Sequence, residues 1–387
     1  MNDAERLVAL RDQLESLEGL DEDTFAQVSI ALERKKRRFG YDAEGRLKVV
    51  FFDAQSYDTE SFDRSNKERF ALRYISASLD RDTAAAAKGY RAVCIFVNDT
   101  CDAEVVETLA TQGVELVALR CAGFNNVALD ACEAHGISVV RVPAYSPYAV
   151  AEHTIGLMLM LNRHLHQAYL RNRYGYFVLD GLTGFDMRGK TVGVAGTGKI
   201  GQAVVDILLG FGCRVLAFDA FPDPQLAARD GVDYLDPEQL MARSDIITLH
   251  LPLTPETRHI VNESAIERMK DGVMLINTSR GELVDTRALI QGLKSSKIGA
   301  AGLDVYEEEA GIFFRNLSDQ VLTDDVLARL LTFNNVVVTS HQAFLTHEAL
   351  TNIADTTLAN LQEFEQGKRG DALTNAVRAP GASEGSR

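Results

Sequence analysis

Three short segments of this chain carry reactive side chains where apolar runs end. They are Asn277-Thr278-Ser279-Arg280-Gly281, Asp304 followed by Glu307-Glu308-Glu309, and Thr339-Ser340-His341-Gln342. An arginine, a carboxylate and a histidine brought to one cleft are what reduction of a keto acid needs. A guanidinium can hold a carboxylate through two parallel hydrogen bonds, which lysine cannot. A histidine near neutral pH can give a proton to the alkoxide that forms when hydride reaches a carbonyl. A carboxylate beside the ring orients it and raises its pKa. The residues alone leave Glu307, Glu308 and Glu309 open for that part. Taken singly, each group has a plain explanation: a surface arginine, a solvated acidic turn, a satisfied polar histidine. Their joint placement at strand ends of one domain points to chemistry, because open α/β sheets bind ligands at the carboxyl edge.

A second constellation supplies the hydride. The apolar run Thr191 to Ala195 leads into Gly196-Thr197-Gly198-Lys199-Ile200-Gly201, then a helical stretch from Gln202 to Gly210. A further apolar run, Val215 to Phe218, ends in Asp219. Strand, glycine loop, helix, strand and acid together are the context a dinucleotide site requires. Gly196 permits the tight turn, Gly198 lets backbone approach a pyrophosphate at the helix N-terminus, and Gly201 allows close helix–strand packing. Asp219 is expected to accept hydrogen bonds from ribose hydroxyls and to repel a 2′-phosphate. That predicts NAD rather than NADP.

The elements that must position these groups alternate along the chain. Strands are predicted over Lys48 to Phe52, Ala92 to Val97, Leu116 to Leu119 and Val139 to Val142. A second series covers Val192 to Ala195, Val215 to Asp219, Ile246 to His250, Met274 to Asn277, Gly299 to Asp304 and Val336 to Thr339. Helical stretches such as Ala103 to Gln112 lie between, so parallel sheets covered by helices follow. One long helix is predicted from about Tyr148 to Leu170, apolar nearly all round at its centre, as at a domain junction. Residues 1 to 45 read as a two-helix hairpin, with Leu7, Leu10, Leu14 and Leu17 on one face and Phe25, Val28 and Leu32 on the next. Its basic end, Lys35 to Arg38, complements the helix dipole. The last residues, rich in Gly, Ser and Glu, are expected to be a disordered tail.

Composition excludes several classes. The net charge of −15 argues against nucleic acid and anionic membrane as partners. No run of about 18 apolar residues predicts a membrane helix, and the charged N-terminus does not read as a signal peptide. Five cysteines without a C-x-x-C pair predict free thiols in the cytoplasm. His164, His166, His259 and His347 are poor candidates for chemistry, and no metal is expected because no Cys/His set has ligand spacing.

At these residues the chain resembles the D-isomer-specific 2-hydroxyacid dehydrogenase family, over about residues 46 to 375, and within it the fermentative D-lactate dehydrogenase branch. The resemblance is carried by Leu119 to Val127 (LRCAGFNNV), Val142 to Pro147 (VPAYSP) with Ala151-Glu152-His153, and the glycine loop. Leu249 to Thr254 (LHLPLT), Asn277 to Gly281, Gly302 to Tyr306 (GLDVY) and His341 to Thr346 (HQAFLT) extend it. It implies Arg280 as catalytic arginine, Glu309 as the glutamate and His341 as the acid. It implies substrate carboxylate binding through the backbone N–H groups of Ala122 and Gly123, help from Tyr145, and a pocket kept small by Phe96 and Phe344. Cofactor contacts are expected at Gly196, Gly198, Lys199, Ile200, Gly201 and Asp219, and also at Leu251, Pro252, Thr278, Ser279 and Asp304. The implied fold is α/β with two doubly wound parallel-sheet domains, a flavodoxin-like substrate domain and a Rossmann NAD domain, plus the N-terminal helical extension. The substrate domain would span 46–145 and be completed by 345–378, the NAD domain 146–344, and the tail 379–387. A homodimer or homotetramer is expected. The first 45 residues match nothing in the family, and Ala310-Gly311 stands where many relatives have proline.

The resemblance implies pyruvate and D-lactate as the substrate pair. A larger keto acid, such as phenylpyruvate or hydroxypyruvate, is the alternative. A remoter one is an NAD-gated corepressor on the same scaffold, which would expose an apolar cleft for peptides.

Overall fold

The computed structural model describes residues 39–309 and 311–378. The expected helix pair before residue 39 and the tail 379–387 lie outside the described residues. The chain divides into two compact units, one running to Tyr145 and resuming at His347, the other spanning Ser146–Thr346.

The first unit is built on β1 (Lys48–Phe51), β2 (Ala71–Tyr74), β3 (Ala92–Ile95), β4 (Leu116–Leu119) and β5 (Ser138–Val140). Their order is β2-β1-β3-β4-β5 and every pair is parallel, the flavodoxin-like arrangement. Strands β3 and β4 are buried at every residue, which is why they read as continuous apolar runs. Strand β2 escapes a reading by pattern because it is a four-residue edge strand with no buried residue. Residues 39–45, expected to be part of a helical extension, form a turn closed by a bridge from Tyr41 to Leu47. Gly40 and Gly45 both take positive φ, and Asp42 accepts from the N–H groups of Glu44 and Arg46, so a helix cannot continue there. The C-terminal helix His347–Glu365 packs on the helix Ser56–Asn66, with Ser61 Oγ donating to the Leu350 carbonyl at 2.9 Å.

Arg120, at the end of β4, is 1% exposed and lies in the core of this unit. Its Nη2 donates to the Asp53 carbonyl at 2.7 Å, its Nε lies 3.3 Å from Asp58 Oδ1, and the guanidinium sits 4.9 Å from the Phe96 ring centroid. Burial pushes Asp99 up to about 7, against the pull of Arg120 and of the Phe96 and Leu79 N–H groups.

The second unit holds β6 (Thr191–Ala195), β7 (Arg214–Phe218), β8 (Val232–Tyr234), β9 (Ile246–Leu249), β10 (Val273–Asn277), β11 (Ile298–Leu303) and β12 (Val336–Val338). The order is β12-β11-β10-β9-β6-β7-β8, again all parallel. From β6 the chain winds outward through β7 and β8, then returns to β9 and winds the other way. Strands β6 and β9 therefore flank a topological switch point, where a Rossmann sheet opens a crevice at its carboxyl edge. Strand β8, three residues at the far edge, gives too short a pattern to read.

The single helix predicted from Tyr148 to Leu170 is two helices, Pro147–Asn162 and Leu165–Arg173. His164 between them has φ +49. The break follows from tertiary hydrogen bonds that a periodicity reading does not see. Asn162 is buried and clamps the backbone of Phe185, donating to its carbonyl and accepting from its N–H, both at 2.8 Å. His166 and Gln167 on the second helix both reach the Asn334 carbonyl. The first helix starts cleanly, with Ser146 Oγ accepting from Ala149 N and Pro147 in the first turn.

Replacing Arg120 by Met should remove about 3–5 kcal/mol of stability, because it strands Asp58 in the core without its cation. Urea unfolding measures this, and a loss under about 1 kcal/mol would show that the cluster does not depend on Arg120.

Candidate active site

The glycine loop leaves β6 at Gly196, whose φ is +96. A Cβ there would lie 2.4 Å from the His250 carbonyl oxygen, so the turn passes too close to the end of β9 for any side chain. A Cβ on Gly201 would lie 2.0 Å from the Gly196 oxygen, which closes the helix Lys199–Gly210 onto the strand. Gly198 differs: a Cβ there meets no atom within 4 Å. It is the N-cap of the helix, no side chain caps it, and Gly198 and Lys199 face solvent. An uncapped helix N-terminus with an open approach suits a phosphate. Asp219, at the end of β7, accepts from Thr197 N at 2.7 Å and Thr197 Oγ1 at 3.2 Å. Tyr234 donates to Thr197 Oγ1 at 2.8 Å, which holds that hydroxyl toward the carboxylate. These residues fit a dinucleotide, with the pyrophosphate on the helix end and the adenosine ribose beside Asp219.

At the end of β10, Asn277 folds the loop back on itself. Its Nδ2 donates to the Arg280 carbonyl at 2.8 Å and its Oδ1 accepts from Ser279 N at 3.1 Å. Ser279 Oγ donates to the Leu251 carbonyl at 2.6 Å, and Thr278 Oγ1 lies 2.9 Å from Thr154 Oγ1. Leu251 is buried in the core while Pro252 is exposed beside it. Arg280 donates only to the neighbouring Ser279 carbonyl, and among the described residues it has no carboxylate partner. A Cβ on Gly281 would lie 2.1 Å from the Tyr306 carbonyl oxygen, so the loops after β10 and β11 meet backbone to backbone.

His341 Nδ1 lies 2.8 Å from Glu309 Oε1, and Tyr306 N donates to Glu309 Oε2 at 3.1 Å. A carboxylate only accepts, so Nδ1 carries a hydrogen. Nε2, which makes no hydrogen bond among the described residues, is the nitrogen left to exchange a proton. Of the three consecutive glutamates, Glu307 pairs instead with His259 at 2.6 Å and Glu308 is exposed. The Phe314 ring centroid stands 5.9 Å from that of His341.

Asp304 carries more of this geometry than its expected cofactor contact implies. It is 1% exposed. Its Oδ1 accepts from Thr339 Oγ1 at 2.6 Å and Gln342 N at 2.8 Å, and its Oδ2 from Ala343 N at 3.0 Å. Its own carbonyl accepts from His341 N. His153 Nε2 reaches Thr339 Oγ1 at 3.0 Å. Because that hydroxyl donates to Asp304, the histidine must donate to it, so Nε2 of His153 is protonated. Sequence reasoning noted His153 only within the family segment; its role depends on contacts 151 and 186 residues away in the chain, which no local pattern signals. Burial lowers the pKa of His153, with Asp304 acting the other way, and burial pushes His250 down to about 3. Both rings are therefore held in the neutral form more readily than an ordinary histidine.

In the first unit, the carbonyls of Ala122 and Gly123 are engaged by Arg141 Nη1 and Cys121 Sγ, while their N–H groups have no acceptor among the described residues. The Tyr145 carbonyl accepts from Asn352, Phe96 is buried beneath Arg120, and in the second unit Phe344 is buried two residues past Gln342. Among the described residues no group of His, Cys, Asp and Glu could hold a metal ion.

Comparison with known proteins gives this site its setting. The family model for the NAD binding domain of D-isomer specific 2-hydroxyacid dehydrogenases matches residues 155–343. A 2-hydroxyacid dehydrogenase homolog of Haemophilus influenzae is 53% identical over 323 residues, 83% of this chain and 97% of that protein. The D-lactate dehydrogenase of Escherichia coli is 52% identical over 323 residues, 83% of this chain and 98% of that protein. The solved structure of the pyruvate reductase of Chlamydomonas reinhardtii is similar with a TM-score of 0.80 at 44% identity, over 88% of this chain and 100% of that one.

Asp304→Asn keeps the volume but turns an amide NH2 toward donors. It should destabilise the protein by about 2–4 kcal/mol, since a hydrogen bond to a charged acceptor is worth roughly 1.5–3 kcal/mol. Activity should fall with it. An unchanged urea midpoint would show that the turn after β12 is held by something else.

Proposed function

The chain belongs to the D-isomer specific 2-hydroxyacid dehydrogenase family and carries its NAD-binding domain, and on that premise we propose that it reduces pyruvate to D-lactate. The observation that carries the reading is the His341–Glu309 pair at 2.8 Å, beside a loop whose Arg280 lacks a carboxylate partner among the described residues. NADH, when bound on the glycine loop, supplies the hydride. Arg280 binds the anionic substrate through its two-pronged guanidinium. His341 Nε2 gives its proton to the carbonyl oxygen as charge develops there, and Glu309 fixes the orientation of the ring through Nδ1. In lactate oxidation the neutral ring takes that proton back. The N–H groups of Ala122 and Gly123 receive the substrate carboxylate, with Tyr145 assisting. The resemblance assigns the methyl end of the substrate to Phe96 and Phe344, and two such bulky rings favour pyruvate over larger keto acids. The names borne by the Escherichia coli and Chlamydomonas relatives support the same choice.

The setting of the enzyme is part of the proposal. Among the described residues no helix is long and apolar enough to cross a membrane. Five free, buried cysteines support a cytoplasmic location. The exposed apolar side chains Tyr169, Leu170, Phe177 and Leu179 support a homodimer or homotetramer.

Initial rates of NADH oxidation with pyruvate, phenylpyruvate and hydroxypyruvate test the substrate. Pyruvate should have the highest kcat/KM, and a preference for phenylpyruvate would overturn the small-pocket reading. Arg280→Lys should lower kcat/KM by about 2–4 kcal/mol, roughly thirty- to a thousandfold, because a point charge replaces a bidentate contact. A loss under about threefold would remove Arg280 from substrate binding. NADH should exceed NADPH by roughly five- to a hundredfold, from about 1–3 kcal/mol of repulsion at Asp219. Equal kcat/KM for the two cofactors would refute that assignment.

A further inference from the structure

A second histidine–glutamate pair, whose glutamate lies two residues before Glu309, takes no part in the chemistry above. His259 lies in the loop after β9. Its Nε2 is 2.6 Å from Glu307 Oε1, and Glu307 Oε2 accepts from Thr286 N at 3.3 Å. The backbone N–H of His259 donates to the Glu282 carbonyl at 2.8 Å. Val261 N then donates to the Leu283 carbonyl and Asp285 N to the Val261 carbonyl, at 3.0 and 2.9 Å. His259 itself is held at φ +53, a conformation that side chains other than glycine seldom adopt. Asn262 Nδ2 donates to its carbonyl at 3.1 Å.

The connectivity is what matters. By its backbone His259 grips Glu282, two residues after Arg280. By its side chain it grips Glu307, two residues before Glu309. Among the described residues the two segments also meet directly, through backbone at Gly281 against Tyr306 and through the long 3.3 Å bond from Thr286 N to Glu307 Oε2. We propose that His259 is a positioning residue: with Glu307 it latches the Arg280 loop to the Glu309 loop and so fixes the spacing between the substrate-binding cation and the His341–Glu309 pair. This rests on the function proposed above and adds a residue to it.

The rival explanation is a surface ion pair that does nothing in particular. The side chains of His259 and Glu307 are 32% and 21% exposed, and pairs so placed contribute little to stability. That very weakness separates the two readings. A latch worth little to folding can still matter to a reaction, because a displacement of about 1 Å at a reacting group can lower the rate roughly a hundredfold. The loss should therefore fall on catalysis and spare both folding and cofactor binding, since the glycine loop and Asp219 lie on β6 and β7.

The test compares His259→Ala, His259→Gln, Glu307→Gln and the double variant His259→Ala/Glu307→Gln with wild type. In His259→Ala, kcat for pyruvate reduction should fall about ten- to a hundredfold. The dissociation constant for NADH alone, from fluorescence titration, should stay within about twofold, and Tm within about 3 °C. Gln at 259 keeps a donor where Nε2 stood and should recover most of the loss. The double variant should be no worse than the poorer single variant, because both changes break one link. A kcat within twofold of wild type in His259→Ala overturns the proposal. So does parallel loss of NADH binding and Tm, an additive double variant, or no recovery with Gln. A wild type inert toward pyruvate, phenylpyruvate and hydroxypyruvate alike overturns the proposed function itself, and the latch with it.

Discussion

The carboxylate of Asp304 is the constraint from which the rest of the site follows. Two consecutive residues after β12, Ser340 and His341, sit at φ +51 and +57. Each such residue costs on the order of 1–3 kcal/mol, so this turn does not persist unaided. Asp304 supplies the compensation from the end of β11, gathering Thr339, Gln342 and Ala343 onto one buried carboxylate. Hydrogen bonds to an ionised acceptor are about twice as strong as neutral ones, and burial strengthens them further. The left-handed turn that results swings the His341 ring back over the loop after β11, where Glu309 waits. His153, donating to Thr339 from the helix Pro147–Asn162, fixes the hydroxyl in that chain of bonds.

Around that carboxylate the site is assembled from main chain more than from side chains. Gly196 lies against His250 and Leu251, Gly201 against Gly196, and Gly281 against Tyr306, each closer than a Cβ permits. These approaches join the ends of β6, β9, β10 and β11 into one edge. Backbone contacts of this kind have few soft torsions to relax through, so reactive side chains hung from them keep their spacing. Side-chain to backbone bonds then tie down the loops between them, such as Asn277 on the Arg280 carbonyl and Tyr306 N on Glu309.

What could be read from the sequence was what depends on local order. The glycine loop and Asp219 follow from spacing within about 25 residues, because strand, turn and helix there are consecutive. Buried strands such as β3 and β4 announce themselves by apolar runs. Edge strands β2 and β8 do not, since an edge needs no apolar face on both sides. The break at His164 was invisible because Asn162 and His166 are ordinary helix residues until Phe185 and Asn334 are brought near. Among Glu307, Glu308 and Glu309, residue type decides nothing. The family resemblance pointed to Glu309, and the geometry separates them by partner: Glu309 faces His341, Glu307 faces His259, and Glu308 faces solvent. Asp304 was read as a cofactor contact at a strand end, yet both its oxygens are held by donors 35 to 39 residues away. Long-range pairing of this sort leaves no periodic trace.

An acidic protein that takes anionic reactants poses a last question of electrostatics. The chain carries a net charge of −15, which at long range repels both a keto acid and a dinucleotide. At physiological salt the Debye length is about 8 Å, so distant surface carboxylates act weakly on a ligand in a cleft. What decides binding is the charge within that distance. Arg280 keeps a guanidinium uncommitted to any carboxylate among the described residues. The helix beginning at Lys199 adds a partial positive charge and uncapped N–H groups. Nearby carboxylates already have donors of their own: Asp304 has three, Asp219 has Thr197 and Phe221, and Glu309 has His341 and Tyr306. The groups this acidic protein offers to an anion are thus the ones left uncommitted: the Arg280 guanidinium and the N–H groups at the start of the helix Lys199–Gly210.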